Sequence, residues 1–220
     1  MSPSGRSTAQ ALLRAASLVF WDFDGVIKDS VEVKSVGFER LFLPYGTAVA
    51  ARVRCHHEAN SGVSRYEKMA VYLQWAGEPV TAATVAEFCL RFSDLVMQSV
   101  IAAAWVPGVR EYLLANLSRQ RFVLVTATPE AEIKRILEAL QLTACFAEVH
   151  GAPTGKADAM KGALQRWQCT PTDSLMVGDA EADLRAARTN DVPFLLRRTP
   201  LNHALREKYS GATFEDLGHE

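Results

Sequence analysis

The chain has 220 residues, of which 49% are hydrophobic, 22% charged and 9% aromatic. That composition excludes a disordered, collagen-like or coiled-coil protein, and the length is enough to bury a core without disulfides or a structural metal. Twenty-four Lys and Arg against 25 Asp and Glu leave a formal net charge of -1, so nothing electrostatic points to nucleic acid or an anionic membrane as the partner.

In chain order, Arg6 and Arg14 precede an apolar stretch, residues 15–21, in loose imitation of a leader peptide. The stretch runs straight into Asp22-Phe23-Asp24-Gly25 without a small-residue cleavage site, so the expected start is a flexible segment leading into a buried strand of a cytoplasmic protein. No apolar run approaches the roughly 20 residues of a membrane span. Residues 17–21 are short, apolar and rich in β-formers, the pattern of a buried parallel strand.

From residue 30 to about 104 no strand is expected. Helical periodicity covers 31–57, broken near Pro44-Tyr45-Gly46, then 64–75 and 81–104. His56-His57-Glu58 and the segment 60–68 read as a polar loop between those helices. The adjacent histidines point in different directions, so an exposed or capping role is expected of them rather than metal binding. Trp75, Trp105, Phe88 and Leu95 read as core of this helical region.

Beyond it, strands are expected at 121–125, 146–150, 174–177 and 192–196, with a weak closing strand at 212–214. The helices between them fall at 107–118, 129–140, 156–167 and 181–189. This alternation implies βαβ units and a doubly wound α/β sheet. The domains expected are a core of 1–29 with 105–220, and a helical insert of 30–104 hinged at 29–31 and 104–108. Cys55, Cys89, Cys145 and Cys169 contain no C-x-x-C pair and are expected as free thiols.

Ligands of an open α/β sheet gather at the carboxyl ends of its strands, and the chemistry-bearing residues fall at those ends. Asp22 and Asp24 follow the first strand, Thr126 the second, Lys156 the third, and Asp179 and Asp183 the fourth. Clustered carboxylates need a cation, and an all-oxygen site suits Mg²⁺. A lysine and a threonine hydroxyl beside it suit a transferring phosphoryl group, with one aspartate as nucleophile and another as general acid and base. Asp183 read alone also fits a surface charge facing Arg185 or Arg188. The segment Gly151-Ala152-Pro153-Thr154-Gly155-Lys156 is not a P-loop, because its spacing is one short and Ala157 stands where a Ser or Thr would bind magnesium.

Asp22-Phe23-Asp24-Gly25, Thr126, Lys156 and the run Gly178-Asp179 to Asp183, in this order, resemble the haloacid dehalogenase superfamily. The insert resembles the C1 cap of its phosphoglycolate phosphatase and β-phosphoglucomutase branch. The resemblance implies a Rossmann-like core and a Mg²⁺-dependent phosphomonoesterase acting on a small phosphorylated metabolite, a sugar phosphate or an organic acid phosphate. The alternative is a sugar phosphomutase of the β-phosphoglucomutase type. It casts Asp22 as nucleophile, Asp24 as acid and base, and Thr126 and Lys156 as phosphoryl grips. The metal would take the Asp22 carboxylate, the Asp24 backbone carbonyl, Asp179 and Asp183. The presence of Asp24 favours phosphoryl transfer over dehalogenation. Ala127 follows Thr126 where Asn is frequent, and Lys156, rather than nearby Lys161, matches the motif lysine. Gly25, Ala127 and Arg65 are the candidate substrate contacts, with Glu58 or Lys68 as companions of Arg65. Arg65 sits in Gly62-Val63-Ser64-Arg65, which resembles a substrate loop of β-phosphoglucomutase, and it otherwise reads as a solvated arginine opening a helix. No nucleic acid or membrane partner is expected, and the oligomeric state expected is a monomer or weak homodimer.

Overall fold

The computed structural model describes residues 3–60 and 62–218, with side chains from Thr8 onward. Ser61, inside the polar segment 60–68, and the side chain of Arg6 lie outside the described residues. In chain order the elements are α1 (Pro3–Ala15), β1 (Leu18–Trp21), α2 (Val31–Phe42), α3 (Thr47–Ala59), α4 (Arg65–Ala76), α5 (Ala82–Ala102) and α6 (Val109–Asn116). There follow β2 (Arg121–Pro129), α7 (Glu130–Ala139), β3 (Glu148–Ala152), α8 (Lys156–Trp167), β4 (Ser174–Gly178), α9 (Glu181–Thr189), β5 (Phe194–Arg197), α10 (His203–Lys208) and β6 (Thr213–Phe214). The strands form one six-stranded sheet in the order β3-β2-β1-β4-β5-β6, with every neighbouring pair parallel. The fold is a Rossmann-like α/β fold.

β1 is central and buried on both faces, which is why it lacks the apolar–polar alternation of a half-exposed strand. Successive side chains go to opposite faces. Val19 and Trp21 join Leu124, Val177 and Leu195 in one layer, with Leu13 of α1, Leu113 of α6 and Ile133 of α7. Leu18 and Phe20 join Val123, Met176 and Leu196 in the other, with Met160 of α8 and Leu184 of α9. Each such side chain contributes about 1.5–3 kcal/mol on burial, and the four cysteines are free thiols.

Four local expectations change. The flexible start is the helix α1. Its Ala9 and Leu13, spaced i and i+4, are buried against the sheet, and Gln120 donates its side-chain amide to the Leu13 and Ala16 carbonyls at its end. That apolar stripe is too narrow to declare a helix until the sheet face is there to receive it. β2 continues past Val125 to Pro129 through a register irregularity against β3, and β3 itself is shifted two residues, to Glu148–Ala152. α10 is too short to leave a periodic signal, and only its Leu205 is buried. His56 and His57 lie in the last turn of α3, so the polar loop begins only after Ala59.

The helices α2 to α5 pack around aromatic rings. Phe38 and Phe92 stack at 3.9 Å between centroids, with Phe42, Tyr72 and Phe88 beside them. Leu95 lies at the surface instead. The chain leaves and re-enters the sheet side by side. The Asp29 amide donates to the Ala104 carbonyl (2.9 Å) and the Val106 amide to the Ile27 carbonyl (3.0 Å). Arg197 Nη1 ties Asp29 Oδ1 to β5 at 3.0 Å.

Candidate active site

The strand order reverses direction at β1, whose two neighbours lead to opposite edges of the sheet. This switch point is where an open parallel sheet leaves a crevice. Asp22 follows β1 directly, and its amide donates to the Val177 carbonyl of β4 at 3.0 Å. Asp179 follows β4, and Asp183 sits in the first turn of α9. One Asp183 oxygen accepts from the Ala180 amide at 3.1 Å, which satisfies a helix N-terminal donor. Its other oxygen accepts from Lys156 Nζ at 2.5 Å. Asp183 is completely buried, so the surface-charge alternative is excluded. Lys156 opens α8 and reaches Asp22 Oδ1 at 2.9 Å as well, whereas Lys161 is exposed.

Carboxylate oxygens of Asp22, Asp179 and Asp183 lie within 4.8 Å of one another. Burial, then Asp183, pushes the Asp22 carboxyl up to about 7 despite the opposing charge of Lys156. Burial, then Asp22 and Asp183, pushes Asp179 well above the usual carboxylate range. Lys156 is raised, because the two carboxylates outweigh its desolvation. Three buried carboxylates thus face one ammonium, and Asp22 Oδ1 receives no well-directed hydrogen bond although Lys156 is 2.9 Å away. An orphaned buried oxygen in an uncompensated all-oxygen cluster fits a hard divalent cation.

The Asp24 carboxylate turns away from this cluster, so the fourth acid in the expected metal set brings no side-chain oxygen to it. It accepts from Ser30 Oγ at 2.6 Å, from Thr128 Oγ1 at 3.1 Å and from the Lys34 ammonium. Lys34 Nζ also donates to Thr128 Oγ1 at 2.8 Å. Burial would raise the Asp24 carboxyl, but Lys34 with these hydroxyls outweighs it and holds the group below its ordinary value. Gly25 has φ +73°, and a Cβ there would stand 2.2 Å from Asp179 Oδ2, so only glycine lets Asp179 approach this turn. The Gly25 amide is spent on the Lys28 carbonyl (2.7 Å), and its carbonyl accepts from Arg197 (3.1 Å). Thr126 is buried, its Oγ1 accepting from the Thr128 amide at 3.2 Å, and it lines the cleft together with Ala127.

The opposite wall of that cleft is basic, formed by Lys34 of α2, His57 of α3 and Arg65 of α4, with Phe38 and Phe92 behind them. Arg65 is buried, and its guanidinium is committed. It makes two hydrogen bonds of 2.8 Å to the Glu132 carboxylate of α7 and one of 2.6 Å to Ser93 Oγ. It is neither solvated nor free. Lys34, Thr128 and Glu132 were not singled out in the sequence. Each belongs to a helix face or strand irregularity whose direction is set only by packing, and no spacing signal marks them.

The family described as haloacid dehalogenase-like hydrolase matches residues 19–196. A phosphoglycolate phosphatase of Pseudomonas putida is 28% identical over 182 residues, which is 80% of this chain and 66% of that relative's length. Among solved structures, CbbY from Rhodobacter sphaeroides, a variant in complex with xylulose-1,5-bisphosphate, superposes with a TM-score of 0.73 at 15% identity, covering 93% of this chain and 96% of that one. β-Phosphoglucomutase from Clostridium difficile gives 0.72 at 16% identity, covering 92% of each chain. These two share the fold.

Proposed function

The chain belongs to the haloacid dehalogenase-like hydrolases, and we propose that it is a phosphomonoesterase of a small phosphorylated metabolite, a sugar phosphate or a short organic acid phosphate. The observation that carries this reading is the meeting of Asp22, Asp179, Asp183 and Lys156 at the switch point, with Asp24 beside them on a separate hydrogen-bond network. The phosphatase name of the 28% identical relative agrees with it.

In this reading an Asp22 oxygen attacks phosphorus, and the bond from phosphorus to the leaving oxygen breaks. The leaving oxygen takes a proton from the Asp24–Lys34 pair. Asp24 then accepts a proton from the water that attacks the aspartyl phosphate, freeing Asp22 and inorganic phosphate. Lys156 and Thr126 hold phosphoryl oxygens in place. Asp22, Asp179 and Asp183 would hold Mg²⁺, with the Asp24 carbonyl as the backbone ligand. When bound, the ion supplies positive charge to the phosphoryl oxygens and lets the nucleophile stay ionised. Residues 30–104 serve as the cap that excludes bulk water, hinged at the paired connections Ile27–Asp29 and Ala104–Val106. No described helix is long and apolar enough to cross a membrane, and a small soluble phosphate ester in the cytoplasm is the substrate setting proposed.

The test is phosphate release from a panel of phosphorylated metabolites, with Mg²⁺ and with EDTA. Metal-dependent release from a narrow group of esters is expected. Silence across the panel, followed by turnover of a sugar monophosphate only when a sugar bisphosphate is added, would replace the phosphatase with a phosphomutase.

A further inference from the structure

The segment that follows β5 contributes no acid to the cluster, yet it holds the loops on which the acids stand. The chain leaves β5 at Arg197 and passes through a single 3-10 turn, Pro200–Asn202, into α10. Asn202 is half-buried, and its side chain bonds backbone three times. Its Nδ2 donates to the Asp179 carbonyl at 2.7 Å and to the Arg197 carbonyl at 2.8 Å, and its Oδ1 accepts from the Thr199 amide at 2.9 Å. Arg197 is buried and reaches the other side of the same centre. Its Nη1 donates to the Gly25 carbonyl at 3.1 Å and to Asp29 Oδ1 at 3.0 Å, and its Nε to the Glu215 carbonyl at 3.2 Å.

These two side chains grip the two loops that meet at Asp179. A Cβ on Gly25 would stand 2.2 Å from Asp179 Oδ2, so the acid rests directly on that turn. Arg197 holds the carbonyl of the turn, and Asn202 holds the backbone of the acid. An asparagine with a purely local purpose would be satisfied by Thr199 and Arg197. The third bond leaves the segment and lands 23 residues away in the chain, on the loop after β4. Its placement answers a physical need. The carboxylates of Asp22, Asp179 and Asp183 repel one another within 4.8 Å. Lys156 pairs with Asp22 and Asp183, whereas Asp179 makes no ion pair among the described residues. Asp179 is therefore the acid most readily driven outward, and the segment after β5 opposes that displacement.

We propose that Asn202, with Arg197 behind it, is a positioning residue of the metal centre: the pair clamps Asp179 against the Gly25 turn, so that the three acids stand at binding distance before a divalent cation arrives. This rests on the reading above that Asp22, Asp179 and Asp183 hold Mg²⁺. Asn202 touches neither the ion nor the substrate, and its effect reaches the reaction only through the affinity of the site for metal.

The experiment titrates Mg²⁺ calorimetrically into the full chain, as wild type, as Asn202→Leu and as Tyr209→Phe. Leucine keeps the volume of Asn202 and loses all three bonds. The phenylalanine removes the 2.5 Å bond from Tyr209 to the Phe194 carbonyl, at the opposite end of β5. Asn202→Leu should bind Mg²⁺ roughly 10- to 100-fold more weakly than the wild type, the usual loss when a partner behind a metal ligand is removed. Its Mg²⁺-dependent rise in melting temperature should need correspondingly more metal. In phosphate release, saturating Mg²⁺ should recover kcat, with KM for the ester unchanged. Tyr209→Phe should lower the melting temperature without moving the metal affinity. If Asn202→Leu does not fold, Asn202→Ser asks the same question, because its short hydroxyl cannot span both carbonyls. An asparagine variant that melts lower yet binds Mg²⁺ within twofold of the wild type makes the role purely structural and overturns the clamp. A loss of affinity equalled by Tyr209→Phe overturns it too, since any loosening of β5 would then suffice. A wild type that binds no Mg²⁺ at millimolar concentration would instead retire the metal assignment, and the clamp with it.

Discussion

At the carboxyl edge of the sheet, Asp22, Asp179 and Asp183 stand where their strands stop. On the helical insert, Lys34, His57, Arg65 and Lys68 stand where three different helices turn one face inward. The first region gathers more acid than its single lysine balances, and the second gathers more base than its own acids balance. Two ion pairs join the regions, Lys34 with Asp24 and Arg65 with Glu132. A backbone contact does so too, because a Cβ on Gly62 would lie 3.0 Å from Ala182 and 3.1 Å from Ala180. The contrast teaches that one cleft is built by two kinds of placement. Topology sets the acids rigidly, while the bases depend on how the insert docks.

The comparison breaks most deeply at the acid edge. Asp22→Asn removes the nucleophile at constant volume and should cut phosphate release by at least about 10⁴-fold, with a melting temperature equal to or above the wild type's because one buried charge is gone. Retention of most activity would end the covalent mechanism. Between the regions, Glu132→Ala leaves the Arg65 guanidinium buried without its acid and should cost about 3–5 kcal/mol in a urea titration. A loss below about 1 kcal/mol would mean that the pair does not hold the insert to the core.

On the basic wall, Lys68→Met should stabilise the fold by about 1–3 kcal/mol at pH 6.5. The sign follows from linkage. The folded-state value of Lys68 lies near 7, below its ordinary 10.5, so the unfolded chain binds the extra proton and wild-type stability rises between those two values. The advantage of the methionine should therefore be full below about 7 and fade as the pH approaches 10.5. A gain that does not change with pH would place the effect in packing instead of charge. The smallest effect is expected at the contact itself. Gly62→Ala meets Ala180 and Ala182 from a φ of +79° and should cost about 1–2 kcal/mol, seen as a several-fold rise in KM with kcat nearly kept. An unchanged KM would show that substrate is bound before the insert seats on the core.

Much of this was open to reading in the residues because a parallel strand carries its own address. An apolar run such as Leu18–Trp21 must be buried on both faces, its end must meet the switch-point edge, and whatever polar residue follows is delivered there. Asp22, Lys156, Asp179 and Asp183 were all locatable by that argument, and the break at Pro44 and Gly46 by turn chemistry. Helix faces carry no such address. His57 read as loop because polar residues surround it, yet it is buried against Phe38. Arg65 read as a substrate contact or a solvated side chain; it is not solvated, and it lines the cleft while held by Glu132, 67 residues away in the chain. Asp24 was expected to meet the metal through its backbone carbonyl and to keep its carboxylate for acid–base work, and the structure adds that Lys34 holds that carboxylate.

The α/β class, the helical interruption after the first strand and the convergence of acids on one edge all follow from apolar periodicity and from where strands end, which the residues carry locally. Packing alone settles which cations face those acids and which are already paired, as Lys34 is with Asp24 and Arg65 with Glu132. The physical reason is that burial and charge pairing are properties of neighbours distant in the chain, and no local spacing encodes who those neighbours are.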